Sequence, residues 1–563
     1  MNKLYRLLSV AILLTLAAYA LFALDTPAAY AVDVGGDITT DTIWTLAGSP
    51  YVVTSNVVVK DGATLTIAAG VEVKFDDGVY LQVGDLIGSG QLIAVGASDN
   101  PITFTSNTGA SPGSWGYIRF ADNSVDATYG AGGNYTSGSI LQHTVIEYAG
   151  GDANKYGALQ IYDSAPFVDH TTIRSNASRG VYISGGSPKL SYNTIISNTA
   201  SGAKNGGGIR IYRGATTLTD NNIANNSAGV RGGGVYISYP DTVMLTHNTV
   251  ISNLATNDGG GIYIDGNGIA TISDNIIVGN STTASYANGG GGVCTDLSSS
   301  AQVTLTHNVI AENSTVENGG GIFIKAGSSS ANATVENNSL VRNTAENEAA
   351  GRWENAEGSF GNNTLVDNVA AGGDPLETVY IVGHPLFNDN NIYRNNGYAL
   401  NNGNLEGSLN LDATGNWWGT ANDAAIQTLI RDWNDSSFWG LVDYSPYRAA
   451  HNTAAPISPP INVFMDEART KLIWSPNAES DLDGYIVYWD TDSGYPYAYN
   501  SANLGNVNHY DLTGLPPGTY FAVTAYDTDA NGLDDQTDGN ESWYSREAEV
   551  RWWVYLPLVL NGF

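Results

Sequence analysis

Gly261-Ile262-Tyr263-Ile264-Asp265 shows the pattern that governs most of this chain: a glycine run, then apolar residues two apart. A second short alternating run follows, as in Val243-Met244-Leu245-Thr246, and each block closes on Asn-x-apolar-x-x-Asn. Period-two alternation, β-branched residues and breaks made of Gly, Asn and Ser predict short strands joined by turns. The first asparagine recurs at Asn193, Asn221, Asn248, Asn275, Asn308, Asn338, Asn363 and Asn391, with Asn416 closing the series and Thr171 in register before it. The second recurs at Asn198, Asn226, Asn253, Asn280, Asn313, Asn343, Asn368 and Asn396, preceded by Asn176. Spacings of 22 to 33 residues, most of them 25 to 28, mark one structural unit per block.

A unit of about 27 residues with two or three strands of about five, stacked at the ~4.8 Å strand spacing, predicts a parallel β-solenoid. No helical pattern competes until about Ala424 to Arg431. Stacked amides at the turns would bond from coil to coil, which gives the asparagine columns a structural role.

Residues about 36 to 448 resemble a right-handed parallel β-helix protein of the pectin-lyase-like kind. The resemblance rests on this repeat, on an entry segment from Gly62-Ala63-Thr64-Leu65-Thr66-Ile67 through Pro101-Ile102-Thr103-Phe104, and on Asn416-Trp417-Trp418-Gly419 followed by Val442-Asp443-Tyr444-Ser445-Pro446. The last two segments look like the terminal coil that closes the core in secreted bacterial β-helix proteins. The expected fold class is all-β: a right-handed parallel β-helix over 32–450, with an N-terminal capping region to about 140 and a terminal coil at about 409–448.

Thr453-Ala454-Ala455-Pro456-Ile457-Ser458-Pro459-Pro460 interrupts the repeat, and 451–461 reads as a Pro-rich linker. Beyond it, Trp474, Tyr485-Ile486-Val487-Tyr488-Trp489 and Leu515-Pro516-Pro517-Gly518-Thr519-Tyr520 resemble a fibronectin type III sandwich over 462–550, with Tyr520 in the tyrosine-corner position. Such domains are usually spacers or adhesion modules. Asp527, Asp529, Asn531, Asp535 and Asp538 follow the oxygen spacing of an EF-hand loop, with Gly532 at the sharp turn, and make Ca²⁺ the candidate cofactor. Asp538 stands where that loop carries a bidentate glutamate.

Lys3 and Arg6, an apolar run from Leu7 to Leu24 and Ala29-Tyr30-Ala31 read as a signal peptide over 1–31, and hence as export to the extracellular space. The apolar tail 551–563 is too short to span a bilayer and resembles a sorting or attachment segment. The mature chain is expected to carry no transmembrane helix and to be a monomer. A formal charge of −32 disfavours nucleic acid and polyanions as partners. Cys294 is the sole cysteine, so no disulfide stabilises the chain.

Candidate chemistry lies on the outward positions of the glycine-led strands. Because Ile262 and Ile264 point inward, Tyr263 and Asp265 point out. In register, this gives a column of Tyr182, Arg210, Tyr236, Tyr263, Cys294 and Phe323, beside a second of Ser184, Tyr212, Ser238, Asp265, Asp296 and Lys325. Exposed aromatics at strand spacing suit stacking on sugar rings, so Tyr182, Tyr212, Tyr236, Tyr263 and Phe323 are candidate substrate-binding residues. Aromatic stacking that merely stabilises the sheet is the alternative. In calcium-dependent lyases on the resembled fold, acidic side chains hold a metal while Lys or Arg removes the sugar proton; Asp265, Asp296 and Lys325 are the candidates that this implies. A third column, His170, Tyr192, Asp220, His247, Asp274, His307 and Asn337, suits either metal binding or turns with unusual backbone angles. The Asn-Thr-Asp, Gly-His-Gly and Arg-Ile-Lys elements of the polygalacturonase-like branch do not occur, nor does a His-Glu-x-x-His motif.

Three readings of function follow. The first is an exported, cell-surface protein that binds carbohydrate or matrix without catalysis, its partner being an extracellular polysaccharide or cell-envelope component. The second is a Ca²⁺-dependent polysaccharide lyase or glycoside hydrolase. The third is a purely structural adhesion protein.

Overall fold

The computed structural model describes residues 31–549, apart from 152–155, 286–287, 328–329, 373–375, 502, 513–517, 530–535 and 538. The segments read as signal peptide and sorting tail lie, but for Ala31, outside the described residues.

Residues 32–443 wind into a right-handed parallel β-helix with three sheet faces. Each coil runs from a glycine-led strand, such as Val235–Ser238, through a second strand, Thr242–Thr246, to a third, Thr249–Ile251. The second strands form a sheet of 12. The first and third strands share one continuous sheet of 27, which folds at Tyr51–Val59: Tyr51–Val53 pairs with Val73–Phe75 and Val57–Val59 with Leu81–Val83. One bent strand thus seeds two faces. Alternate residues fill the interior: Val235, Ile237, Val243, Leu245 and Val250 of this coil are all fully buried in one core that runs the length of the solenoid. At the far end Trp418 and Ile426 are buried in that core, and Asn422 caps the short helix Asp423–Gln427 by accepting the N–H of Ala425.

The asparagine columns stand at the two corners of each coil. The N–H and side-chain amide of Asn221 both donate to Oδ1 of Asn248, at 2.9 Å each, and the second amide proton goes to the carbonyl of Leu190 at 3.0 Å. Asn248 repeats this toward Asn275, and Asn226, Asn253 and Asn280 do the same at the second corner. Every donor and acceptor of such an amide is used, so burial costs little. The residue before each asparagine is left-handed: His170, Tyr192, Asp220, His247, Asp274, His307 and Asn337 at the first corner have φ between 46° and 59°. Those seven residues hold a turn, and the turn explains why Asn, Asp and His recur there.

At the last coil the register departs from expectation by one residue. Asn390 and Asn395, not Asn391 and Asn396, continue the columns. Asn391 faces outward and pairs with Asn452, donating to its carbonyl and accepting its N–H.

The remaining residues fold into two antiparallel sheets, of three strands from Ile461–Met465 and of four around Leu482–Asp490 and Tyr520–Asp527. Trp474, Tyr485, Val487, Phe521 and Val523 form their shared core. This domain is docked on the solenoid. Val278, Val309, Ala311, Val341 and Val366, outward on the third strands, pack with Ile486, Tyr488, Tyr526, Trp543 and Tyr544 in one apolar cluster. Residues 455–460 are buried between the two bodies, so the Pro-rich segment is a packed strap and not the free linker expected from its composition. Thr364 donates its hydroxyl to the carbonyl of Pro456, and Glu479 accepts from the Tyr393 hydroxyl and from both the N–H and the hydroxyl of Ser458. Burial pushes the Glu479 carboxyl up, but those hydrogen bonds and nearby His451 outweigh it and hold it below the usual range. The sequence signal for this docking was available: Ile276-Ile277-Val278 and Val309-Ile310-Ala311 are apolar on both faces, as a strand covered on both sides must be.

Candidate functional site

The two outward columns of the glycine-led face stand in the register that the sequence predicts. Tyr182 pairs with Arg210, Arg210 with Tyr236, Tyr236 with Tyr263, Tyr263 with Cys294, and Cys294 with Phe323. Their exposure is not what was expected. Tyr182, Tyr236, Tyr263 and Phe323 are all buried, Tyr263 completely. Tyr236, Tyr263, Cys294 and Phe323 form an apolar cluster of their own outside the solenoid core. The rings of Tyr236 and Tyr263 stack at 5.5 Å and 6°.

The turns that lead into each strand fold back over this column. Arg231 lies over the Tyr263 ring, 4.9 Å from its centroid, and its Nε donates to Asp258 at 2.8 Å. Asp258 also accepts the N–H groups of Asn288 and Gly289 from the next turn. Gly259 makes the close approach tolerable: its φ is +62°, and a Cβ there would stand 2.8 Å from the Cβ of Tyr263. A column that its own turns cover cannot stack on a sugar ring, and the exposed-stripe reading of these four aromatics is corrected on that ground. Burial also pushes the Cys294 thiol well up, which leaves it a neutral, packed side chain.

The second column assembles an open site. Asp265 and Asp296 are directly paired on neighbouring strands and line one concavity of about 430 Å³, together with Tyr239, Ser298 and Ser299. The Tyr236 hydroxyl donates to Oδ2 of Asp265, and the other oxygen, Oδ1, has no hydrogen-bond partner among the described residues. Burial first, and then Asp265, push the Tyr236 hydroxyl up to about 12, so it remains a donor. Tyr239 is the aromatic that is presented to solvent, 50% exposed, with the half-buried Tyr212 edge-on to it at 6.4 Å. Gly266 makes room for that ring, since a Cβ there would meet it at 2.6 Å. Lys325 stands one coil on but does not line the concavity; its Nζ donates to Asn288 at 3.3 Å. The structure therefore brings Asp265 and Asp296 together, leaves Tyr212 behind Tyr239 and outside the lining, and turns Lys325 aside. Tyr239 was missed because it sits in a turn, at φ +51°, off the strand pattern; an aromatic before Pro240 at a strand end was its only sequence mark.

A second polar cluster on the same face was also missed. Glu348 occupies the place held by Gly259, Gly290 and Gly319 in earlier coils, and the Gly-Gly pair that follows is replaced by Ala349-Ala350. Glu348 pairs with Glu377, and Arg352 with Tyr380, which pairs in turn with Asn401. Arg352 donates to Glu348 and to Glu354 at 2.7 Å each, while Asn401 donates to Glu377. Burial, then Glu348, push the Glu377 carboxyl up to about 7 against the pull of Asn401 and Arg431. Oε2 of Glu348 and Oδ1 of Asn401 have no hydrogen-bond partner among the described residues. The break in the Gly-Gly signature was the signal for this site.

Other candidates are placed less tightly. Asp529 donates its N–H to Oδ1 of Asp527, and Thr528 donates its own to the carbonyl of Asp481, so Asp481 stands beside the start of the acidic loop. Asn531, Asp535 and Asp538 lie outside the described residues. Gly109-Ala110-Ser111-Pro112-Gly113 has the Gly-x-Ser-x-Gly spacing of a nucleophile elbow but lies in a turn and not on the strand-to-helix bend that such an elbow needs. Among the described residues no helix is long and apolar enough to cross a membrane.

No curated protein was found to match this chain. The sequence model of the family described as "Right handed beta helix region" matches residues 88–253 and 157–374, which together span about half of the chain and include Asp265, Asp296 and Glu348. With the coil geometry and asparagine columns described above, this chain belongs to the right-handed β-helix family.

Proposed function

We propose that this is an exported, non-catalytic β-helix protein that binds extracellular carbohydrate at the Asp265–Asp296 concavity. The observation that carries the reading is the composition of that site: two paired carboxylates beside an exposed tyrosine ring and two serine hydroxyls. Carboxylates accept hydrogen bonds from vicinal sugar hydroxyls, and an aromatic face stacks on the C–H side of a pyranose. A neutral glycan suits a chain of charge −32 better than a polyuronate.

The docked sandwich supports a fibronectin type III-like reading, because its strands divide three and four between the two sheets, with Trp474 buried between them. In this account it mounts the solenoid on a surface, and the acidic loop that begins at Asp527 binds Ca²⁺ and stiffens that mount. Export and surface attachment rest on the terminal segments of the sequence.

A polysaccharide lyase or glycoside hydrolase of pectin-lyase-like type is the second reading. What favours it is the pairing of Asp265 with Asp296, since two carboxylates on adjacent strands suit acid–base work on a glycosidic bond. A glycan-array screen of the mature chain with and without Ca²⁺, followed by a test for product release, separates the readings. Retention without turnover is the expected result, turnover establishes the enzyme, and retention of no glycan sinks both.

A further inference from the structure

We infer that the cleft between the solenoid and the docked sandwich is a second glycan-binding site, on a different face from the Asp265–Asp296 concavity. The ligand class rests on the carbohydrate reading above; the site does not. The cleft holds about 620 Å³, enough for two or three sugar rings, and is walled by both domains. The solenoid supplies Glu312, Arg342 and Val369; the sandwich supplies Tyr495, Tyr497, Tyr544 and Arg546.

Its wall is aromatic and fixed. Tyr544 lies 4.9 Å from Tyr497 and 5.8 Å from Tyr495, and Trp543 backs them at 4.9 Å from Tyr544 and 5.2 Å from Tyr495. Tyr495 and Tyr497 are half-buried and line the cavity. The polar groups are held in place too. Arg342 donates to Glu312 and to the carbonyl of Tyr544, tying the two domains across the floor. Glu547 accepts from the Ser493 hydroxyl, the N–H of Gly494 and the Tyr497 hydroxyl, which fixes the hairpin tip that carries both tyrosines. Burial, then Glu547, push the Tyr497 hydroxyl far up, so it stays a donor at any working pH. Arg546 is exposed at the mouth.

Rigid aromatic faces with fixed carboxylate and guanidinium groups are what a pyranose needs: apolar faces for its C–H side, ion-paired polar groups for its hydroxyls. A ligand spanning the cleft touches both domains and therefore stabilises their docking by linkage.

The test is isothermal titration of the full mature chain with cellohexaose, mannohexaose and maltohexaose, for the wild type, Asp265→Asn/Asp296→Asn, Tyr497→Ser, and Arg546→Ala. The Arg546 variant guards against loss of docking in the tyrosine variant, since it removes only an exposed side chain. Two sites per chain, one lost in the aspartate variant and one weakened at least tenfold in both cleft variants, is the expected result. A single site lost only in the cleft variants sustains this inference and removes the concavity reading. A single site lost only in the aspartate variant overturns the inference and leaves that reading standing. Binding unchanged in the cleft variants, or no binding to any of the three sugars, overturns it.

Discussion

The two halves of the glycine-led face share one sheet, with a shift of register between Glu348 and Gly351, yet they bury opposite chemistries. In the first half the column Tyr236, Tyr263, Cys294 and Phe323 is apolar and is roofed by glycine turns. In the second, the same column continues as Arg352, Tyr380, Asn401 and Arg431, flanked by Glu348 and Glu377. The residue that changes between them is at the turn: glycine through Gly319, then Glu348. A glycine with positive φ lets the preceding turn lie against the column, whereas Glu348 extends the strand to seven residues, Glu348–Glu354, and brings a carboxylate in. The solenoid fixes where side chains go, and the turn decides whether they become core or charge.

The largest break comes from the scaffold that both halves share. Asn253→Leu leaves the donors of Asn226 without an acceptor and removes a donor from Asn280 and from the carbonyl of Ile223. At ~1–3 kcal/mol for each buried group left unpaired, urea unfolding is expected to show a loss of about 4 kcal/mol. A loss under about 1 kcal/mol would mean that the ladder is incidental.

Gly259→Ala attacks the roof of the first half. With φ at +62° and a Cβ 2.8 Å from Tyr263, the expected cost is about 2 kcal/mol by denaturant midpoint. Ala350→Gly in the second half, where the turn is already opened, should cost no more than about 1 kcal/mol, the ordinary price of a glycine in a strand.

Glu377→Gln sharpens the contrast through pH. The folded protein holds the Glu377 proton up to about pH 7, while the unfolded chain releases it near 4.5. Between those values the native state binds more protons, so this group's stabilising contribution is full below about 4.5, falls as pH rises, and is gone above about 7. The wild type should therefore lose on the order of 2 kcal/mol across that window relative to the glutamine variant. Parallel pH profiles of unfolding for the two proteins would remove Glu377 from the account. The smallest effect is that of Tyr236→Phe, which deletes one hydrogen bond to Asp265 and should cost about 1 kcal/mol, read by thermal unfolding.

These comparisons also show what the sequence could carry. The coil length, the strand alternation, the inward set such as Ile262 and Ile264, and the asparagine corners were all legible, because a solenoid repeats its solution and repetition averages out local ambiguity. The register of the outward columns followed from it. Exposure did not, because a two-fold pattern says which side chains point out of the core and nothing about what folds over them. Tyr263 points out and is fully buried; Val341 points out and is covered by a second domain. Tyr239 and Glu348 escaped for other reasons: Tyr239 sits in the turn after its strand, off the alternation, and Glu348 stands where the glycine signature of the earlier coils is broken.

The central claim is that the Asp265–Asp296 concavity is a binding site and not a structural carboxylate pair. The direct measurement is the affinity of Asp265→Asn/Asp296→Asn for the glycan that the wild type retains, taken beside the unfolding midpoint of the same samples. The account predicts at least a tenfold loss of affinity with a midpoint shift of no more than about 2 °C, since the pair contributes little to the core. Unchanged affinity, or a loss that merely tracks unfolding, would contradict it.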